Sequence, residues 1–183
     1  MRLTMSSFDH VGQPLLRDLI QYWMAAARDR DMPARRDIDP AEIPRLLPFV
    51  WLCDYLSESR RFRYRLMGDH VRDAYDSNIT GRYLDEMVPP DAQQRVFYYF
   101  HKAVEVPCVV HVSGRLYAEA KAPAQGERVL LPLSSDGSGV DMILGATVHS
   151  WIGGVRRTVP VGVQVRTFTP IDGSSGFEDR PLG

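Results

Sequence analysis

The chain has 183 residues, of which 44% are hydrophobic, and it carries 22 basic against 23 acidic side chains. This length and composition are typical of one globular domain with a sizeable core. A formal charge of -1 provides no long-range attraction to nucleic acid or anionic lipid, so we expect neither as a partner.

The first residues show no sign of a targeting segment. Residues 1–7 lack an apolar core, and the longest apolar stretch, residues 46–53, is interrupted by Pro48 and too short to span a bilayer. We therefore expect a cytoplasmic protein with no membrane partner. Cys53 and Cys108 form neither a disulfide framework nor a CxxC site, and we interpret both as buried apolar residues.

Residues 14–30 have apolar side chains at helical spacing, with polar ones such as Arg17 and Asp18 on the opposite arc. The pattern predicts an amphipathic helix within an N-terminal extension at residues 1–38. Its apolar stripe either covers the outer sheet face of its own subunit or meets a second copy. We favour a homodimer, because tryptophan is enriched at interfaces. The predicted interface residues are Leu15, Leu19, Ile20 and Trp23.

A short helix and a β-hairpin come next. Asp39 as N-cap and Pro40 at the first helical position predict a helix that ends near Pro48. Residues 50–56 and 62–68 predict two strands with a turn between them. In the second strand every other residue is apolar or aromatic, which places three side chains on one face: Phe62, Tyr64 and Leu66.

Helical segments follow the hairpin. Asp69 predicts the N-cap of a short helix that runs through Tyr75, and residues 77–81 have the composition of a loop. Residues 90–105 predict a longer helix, opened by a proline and ended by another. Its apolar stripe consists of Val96, Phe97, Phe100 and Val104.

Strand patterns dominate the rest of the chain. Residues 108–121, 127–134 and 142–150 predict three strands in a meander, with a turn at residues 123–126. We place the domain at residues 39–152. A partly flexible tail at 153–183 then holds one more strand at 162–168, and residues 173–183 look flexible and without a site.

Two segments carry a family resemblance: Phe62-Arg63-Tyr64-Arg65-Leu66-Met67-Gly68 and Thr80-Gly81-Arg82-Tyr83-Leu84-Asp85. With the order of elements over residues 39–150, they resemble the PAS sensory domain, and most of all the short stand-alone bacterial PAS proteins. The resemblance implies an α+β fold in which a five-stranded antiparallel sheet has helices over one face. It also implies a non-enzymatic sensor or adaptor whose output passes to a partner protein.

A PAS fold implies a space between sheet and helices, which is either a pocket for a small apolar ligand or a filled core. The residues expected to line it are Tyr64, Leu66, Tyr75, Phe97, Phe100, His101, Val110, Val112, Leu131 and Leu144. Photosensory flavin chemistry is not expected, because residues 69–87 contain no cysteine. His101 lies on the helix from which haem-binding PAS domains ligate iron. Its position at the rim of the apolar stripe equally fits an ordinary, partly buried histidine.

An enzyme is the alternative function. Cone-shaped α+β isomerases and hydratases also place acids and histidines in an apolar cavity, and Asp54 with His101 or Tyr64 could perform acid–base chemistry there. Asp54 could instead bond the turn at residues 57–58. The histidines and cysteines have no metal-ligand spacing, so we expect no metal.

Overall fold

The computed structural model describes residues 3–75, 79–116, 124–151 and 164–180. In this part of the chain, four α-helices and an antiparallel sheet of seven strands make an α+β protein. The helices are α1 (Pro14–Ala27), α2 (Asp69–Arg72), α3 (Leu84–Met87) and α4 (Pro90–Glu105). The strands are β1 (Val50–Leu56), β2 (Arg61–Met67), β3 (Cys108–Leu116), β4 (Ala124–Leu133), β5 (Met142–Trp151), β6 (Val165–Pro170) and β7 (Phe177–Asp179).

The strands lie in the order β2-β1-β5-β4-β3-β6-β7. The predicted hairpin β1–β2 and the predicted meander β3–β4–β5 are both present and join where β1 pairs with β5. The sheet therefore has two strands more than the five that were expected. β6 pairs with β3, and β7, which is too short for a recognisable alternation, pairs with β6.

β4 begins earlier than predicted. The turn expected at residues 123–126 is wrong for residues 124–126, which pair with both β3 and β5. Gly126 suggested a turn, but its role is packing, since a Cβ there would lie 2.1 Å from the Val148 carbonyl oxygen. A glycine inside a strand often marks such a close approach of two backbones.

β2 contains an irregularity that changes which side chains share a face. Leu52 pairs with Leu66 while the next residue, Cys53, pairs with Tyr64, so Arg65 is an extra residue in β2. This β-bulge interrupts the period-two alternation. Leu66 therefore leaves the face of Phe62 and Tyr64 and is 43% exposed.

The helix predicted to end near Pro48 is replaced by two short 3-10 segments, Pro40–Glu42 and Leu47–Phe49. Asp39 caps the first as predicted, and its Oδ1 accepts a hydrogen bond from the Ala41 N–H at 2.9 Å. Pro44 explains the interruption, because a proline disfavours helical backbone in the residue before it. The next predicted N-cap is also displaced by one residue: Gly68 caps α2, and Asp69 is its first residue.

α1 covers the sheet face opposite α2–α4. Leu19, Ile20 and Trp23 are at most 1% exposed in a single chain, and the Trp23 Nε1–H donates to the Pro132 carbonyl oxygen at 2.9 Å. Leu15 is half-buried against the same apolar cluster. The stripe of Leu15, Leu19, Ile20 and Trp23, which was expected to meet a second copy, therefore packs on its own sheet, the alternative that the sequence left open.

Candidate functional site

The site that the fold presents is the space between the sheet and helices α2–α4, which we call the interior. One apolar cluster occupies it, with side chains from all three helices and from six strands. Its largest members are aromatic, and Trp51 stacks on Phe100 with ring centroids 5.7 Å apart. The buried residues of this cluster include Trp51, Phe62, Tyr64, Val71, Leu84, Tyr99, Phe100, Val110, Val112, Leu130, Ile143 and Phe168.

The structure brings together most of the residues predicted to line this space. Tyr64, Phe100, Val110 and Val112 are buried in the interior. Tyr75 and Phe97 are partly buried against it. These six side chains come from β2, β3, α4 and the segment after α2, so the fold assembles them from distant parts of the sequence.

Three predicted residues lie elsewhere. Leu131 and Leu144 pack on the α1 side of the sheet, and Leu66 is turned away from the interior by the bulge. β4 and β5 are buried on both faces, so nearly every residue is apolar and the sequence does not show which face each one occupies. The structure therefore places these three side chains outside the interior that they were expected to line.

A polar cluster lies within the apolar interior and centres on Thr147 of β5. Its Oγ1 accepts hydrogen bonds from the Trp51 Nε1–H at 3.1 Å and from the Arg128 Nε–H at 3.0 Å. The Arg128 Nη1–H donates to the Tyr99 hydroxyl at 3.2 Å, which ties α4 to β4. Arg128 is 8% exposed and Thr147 is fully buried. Hydrogen-bonded polar groups in an apolar space are what a ligand needs for orientation.

A second buried cation, Arg166 of β6, flanks the same helix. It is 2% exposed, and its guanidinium lies 5.5 Å from the centre of the Tyr99 ring. Its N–H groups donate to the Gln164 side-chain oxygen at 2.9 and 3.0 Å and to an Asp179 carboxylate oxygen at 3.4 Å. Burial lowers the pKa of Arg166 from its ordinary value, but a guanidinium stays charged in proteins.

His101 lies at the edge of the interior. Its ring meets Phe62 and Tyr55 edge-on, at centroid distances of 5.0 and 6.1 Å, and its buried Nδ1 has no hydrogen-bond partner. Burial, and then the charge of Arg60, lower the pKa of His101. A neutral imidazole is the form that ligates iron, yet these contacts place the ring against the β1–β2 hairpin, beside the interior.

The thiols are buried and protonated. Burial raises the pKa of Cys108 to about 12 and raises that of Cys53 further still. A thiol with a raised pKa is a poor nucleophile and a poor metal ligand. In the described part of the chain, no group of three histidine, cysteine or acidic side chains could hold a metal ion.

Asp54 faces away from the interior. It follows Cys53, which faces inward, and its carboxylate accepts from the Arg63 Nη2–H at 3.1 Å and the Arg65 Nε–H at 2.9 Å. This contradicts the pairing of Asp54 with His101 or Tyr64, whose rings lie on the other side of the sheet. It also contradicts the expectation that Asp54 bonds the turn at residues 57–58.

Sequence reasoning missed the polar residues of the interior: Tyr99, Arg128, Thr147, His149 and Arg166. Arg128 lies in a strand with apolar residues at nearly every following position, and an arginine in such a run is a signal of a buried functional or structural cation. Thr147 gives no comparable signal, because threonine is common in strands.

The geometry defines a class of protein: an antiparallel sheet that holds an apolar interior with a few polar groups beneath helices. A family model described as PAS domain matches residues 11–148, which is most of the chain. The chain belongs to the PAS domain family. Comparison with curated proteins and with solved structures found no match. Among the described residues, no helix has the length and apolar character required to cross a bilayer.

Proposed function

We propose that this chain is a non-enzymatic PAS-type sensor in bacterial signalling that binds a small molecule in the interior. Membership of the PAS family supports a sensory or signalling role. The observation that carries the small-molecule proposal is the Thr147 cluster, because it places an arginine, a tyrosine hydroxyl and an indole N–H inside an apolar space.

The proposed binding residues follow from their positions. Apolar walls come from the retained set of Tyr64, Phe100, Val110 and Val112, with Tyr75 and Phe97 at the margin. Arg128 and Thr147 add the polar contacts. Ligand sites in proteins typically combine a mostly apolar lining with a few polar groups that set orientation.

Two measurements on purified protein test this proposal. Native mass spectrometry should reveal a non-covalent adduct of one small molecule per chain, which denaturation removes. The purified protein should be colourless, with no absorption band in the visible range, because no cysteine lies in the short helices and His101 sits beside the interior. A Soret band lost in His101→Ala would instead establish haem. If the protein purified from every expression host tested shows only the mass of the unliganded chain, the proposal is contradicted.

Partner binding is the second part of the proposed function, because a sensor changes its surroundings only through the surfaces it presents. Homodimerisation stays a prediction, since burial of the α1 stripe removes the argument from which it came. A cytoplasmic location also stays a prediction. Sedimentation of the purified protein measures the oligomeric state directly.

A further inference from the structure

Two histidines meet where α2 packs on β5. The rings of His70 and His149 have centroids 4.4 Å apart. Phe49 flanks the first ring at 4.6 Å, and Trp151 flanks the second edge-on at 4.9 Å. His149 is 8% exposed, and His70 is partly buried.

The contact between the two residues requires an unprotonated Nε2 on His70. The His149 backbone N–H donates to the His70 Nε2 at 3.3 Å. β1 pairs with β5 only as far as Ala146, and beyond that point the imidazole of His70 takes the place of a strand partner. An imidazole nitrogen accepts a hydrogen bond only while it is unprotonated. A proton on this atom replaces an acceptor by a donor and breaks the contact.

Two charged groups near the pair act on His149 in opposite directions. Arg128 on β4 opposes protonation of His149, while Asp73 at the end of α2 favours it. On α2 itself, Asp69 and Arg72 form an ion pair with each other. Phe49 and Trp151 contribute only uncharged rings.

We propose that His70 and His149 form a proton-sensitive gate, which holds α2 on β5 when both rings are neutral and releases α2 when the pair is protonated. α2 covers one end of the interior through Val71, which is buried in the interior cluster. Release of α2 therefore opens that end of the interior. The link to ligand entry rests on the proposed function, but the gate itself does not.

The direction of the pH effect follows from the burial of His149, which disfavours its charged form. Burial, the largest cause, and the charge of Arg128 lower the pKa of His149 to about 4. In the open form the ring regains an ordinary pKa near 6.5. Between these two values the open form binds more protons, so the closed form loses stability as the pH falls from about 6.5 towards 4. At pH 5.5 this linkage favours opening by about tenfold relative to neutral pH.

Hydrogen exchange measures the gate without any ligand. After correction for the intrinsic pH dependence of exchange, the peptide that covers α2 should lose protection about tenfold between pH 7.5 and 5.5. His70→Gln places a non-titrating acceptor where Nε2 lies and should reduce this loss, and His149→Gln should abolish most of it. His10 packs against His111 on the α1 side of the sheet, with ring centroids 5.2 Å apart. His10→Gln is therefore the matched control and should leave α2 unchanged.

The result that overturns the gate is equal pH dependence of α2 exchange in the parent chain and in both variants. A second measurement covers variants that fold poorly. In the unmodified protein, an NMR titration should find the His149 ring neutral at pH 5.5, and titration near pH 6.5 would overturn the proposal. Neither measurement depends on a bound ligand. The gate can therefore be disproved while the interior still binds a small molecule, and ligand binding can be disproved while the gate is retained.

Discussion

At the scale of single residues, Thr147 is the acceptor that satisfies two buried donors of the interior, the indole N–H of Trp51 and the Nε–H of Arg128. A buried donor that loses its partner costs roughly 1–3 kcal/mol. The hydroxyl of Thr147 is therefore worth more to stability than its small size indicates.

Thr147→Val keeps the shape of the side chain and removes the acceptor. We expect the free energy of unfolding to fall by about 2–4 kcal/mol, because two N–H groups are left unsatisfied in a water-poor space. Urea titration measures the change. Thr147→Ser, which keeps the hydroxyl, should recover most of the loss, and a valine variant as stable as the parent chain would show that the hydroxyl has no structural role.

Substitution of Trp23 distinguishes a role in folding from a role in assembly. It is 1% exposed within one chain and donates to the Pro132 carbonyl oxygen, so Trp23→Ala should lower the free energy of unfolding by about 3–5 kcal/mol. Its effect should not depend on a second copy. Melting curves beside analytical ultracentrifugation test this, with Trp151→Ala, at a 41% exposed position, as the mild control. A shift from dimer to monomer in Trp23→Ala alone would restore the assembly interface.

At the scale of elements, β4 fixes the position of α1 at both ends. Glu127 Oε2 accepts from the Gly12 and Gln13 N–H groups at 3.0 and 3.3 Å, and it lies 2.8 Å from the His111 Nε2. Farther along β4, Pro132 accepts from Trp23. A carboxylate at the N-terminus of a helix is favoured by the exposed amides and by the helix dipole.

Glu127→Gln should weaken this attachment by about 1–2 kcal/mol, because a charged acceptor becomes a neutral one. Burial alone would raise the pKa of Glu127, but the hydrogen bonds from His111, Gln13 and Gly12 outweigh it and lower the pKa below the ordinary 4.5. The folded state therefore favours the carboxylate, and its contribution is fully present above pH 4.5 and lost as the pH falls through the lower folded value.

Urea titrations at several pH values between about 3 and 6 measure this contribution, in the window that linkage defines. The difference in stability between parent chain and Glu127→Gln should shrink as the pH falls. Glu58→Gln, at an exposed position in the β1–β2 turn, is the matched control. A difference that stays constant across this range would mean that Glu127 does not hold α1 through its charge.

The elements were predictable where one periodicity dominates. α4 and β1 begin and end at the predicted residues, because prolines bound the helix and the apolar run of β1 is compact. The faces of strands were less predictable. Alternation failed at the bulge of β2, and β4 and β5 are apolar on both sides, so Leu131 and Leu144 could not be assigned to a face from the sequence.

For the candidate site, the sequence predicted the apolar walls and missed the polar centre. Aromatic and branched side chains at regular spacing indicate a buried face whether or not polar groups accompany them. The contacts of Arg128 with Thr147 and Tyr99 join β4, β5 and α4, and such a three-way convergence depends on tertiary packing that no local pattern contains.

At the scale of the whole molecule, one sheet separates two apolar clusters, the interior under α2–α4 and the layer under α1. β4 contributes to both, and consecutive residues face opposite sides. Arg128 belongs to the interior while Glu127 holds the start of α1. A change of side-chain packing around Arg128 in the interior thus acts on β4 directly beside Glu127, the residue that attaches α1.

The central claim is that the interior binds a small molecule, and native mass spectrometry of a matched pair of variants tests it most directly. Val112 and Val109 are both buried on β3, the first in the interior and the second on the α1 side. Val112→Phe should abolish the adduct of one small molecule per chain, because the larger ring occupies the interior, while Val109→Phe should retain it. An adduct that survives in folded Val112→Phe, or no adduct in the parent chain, would contradict the claim.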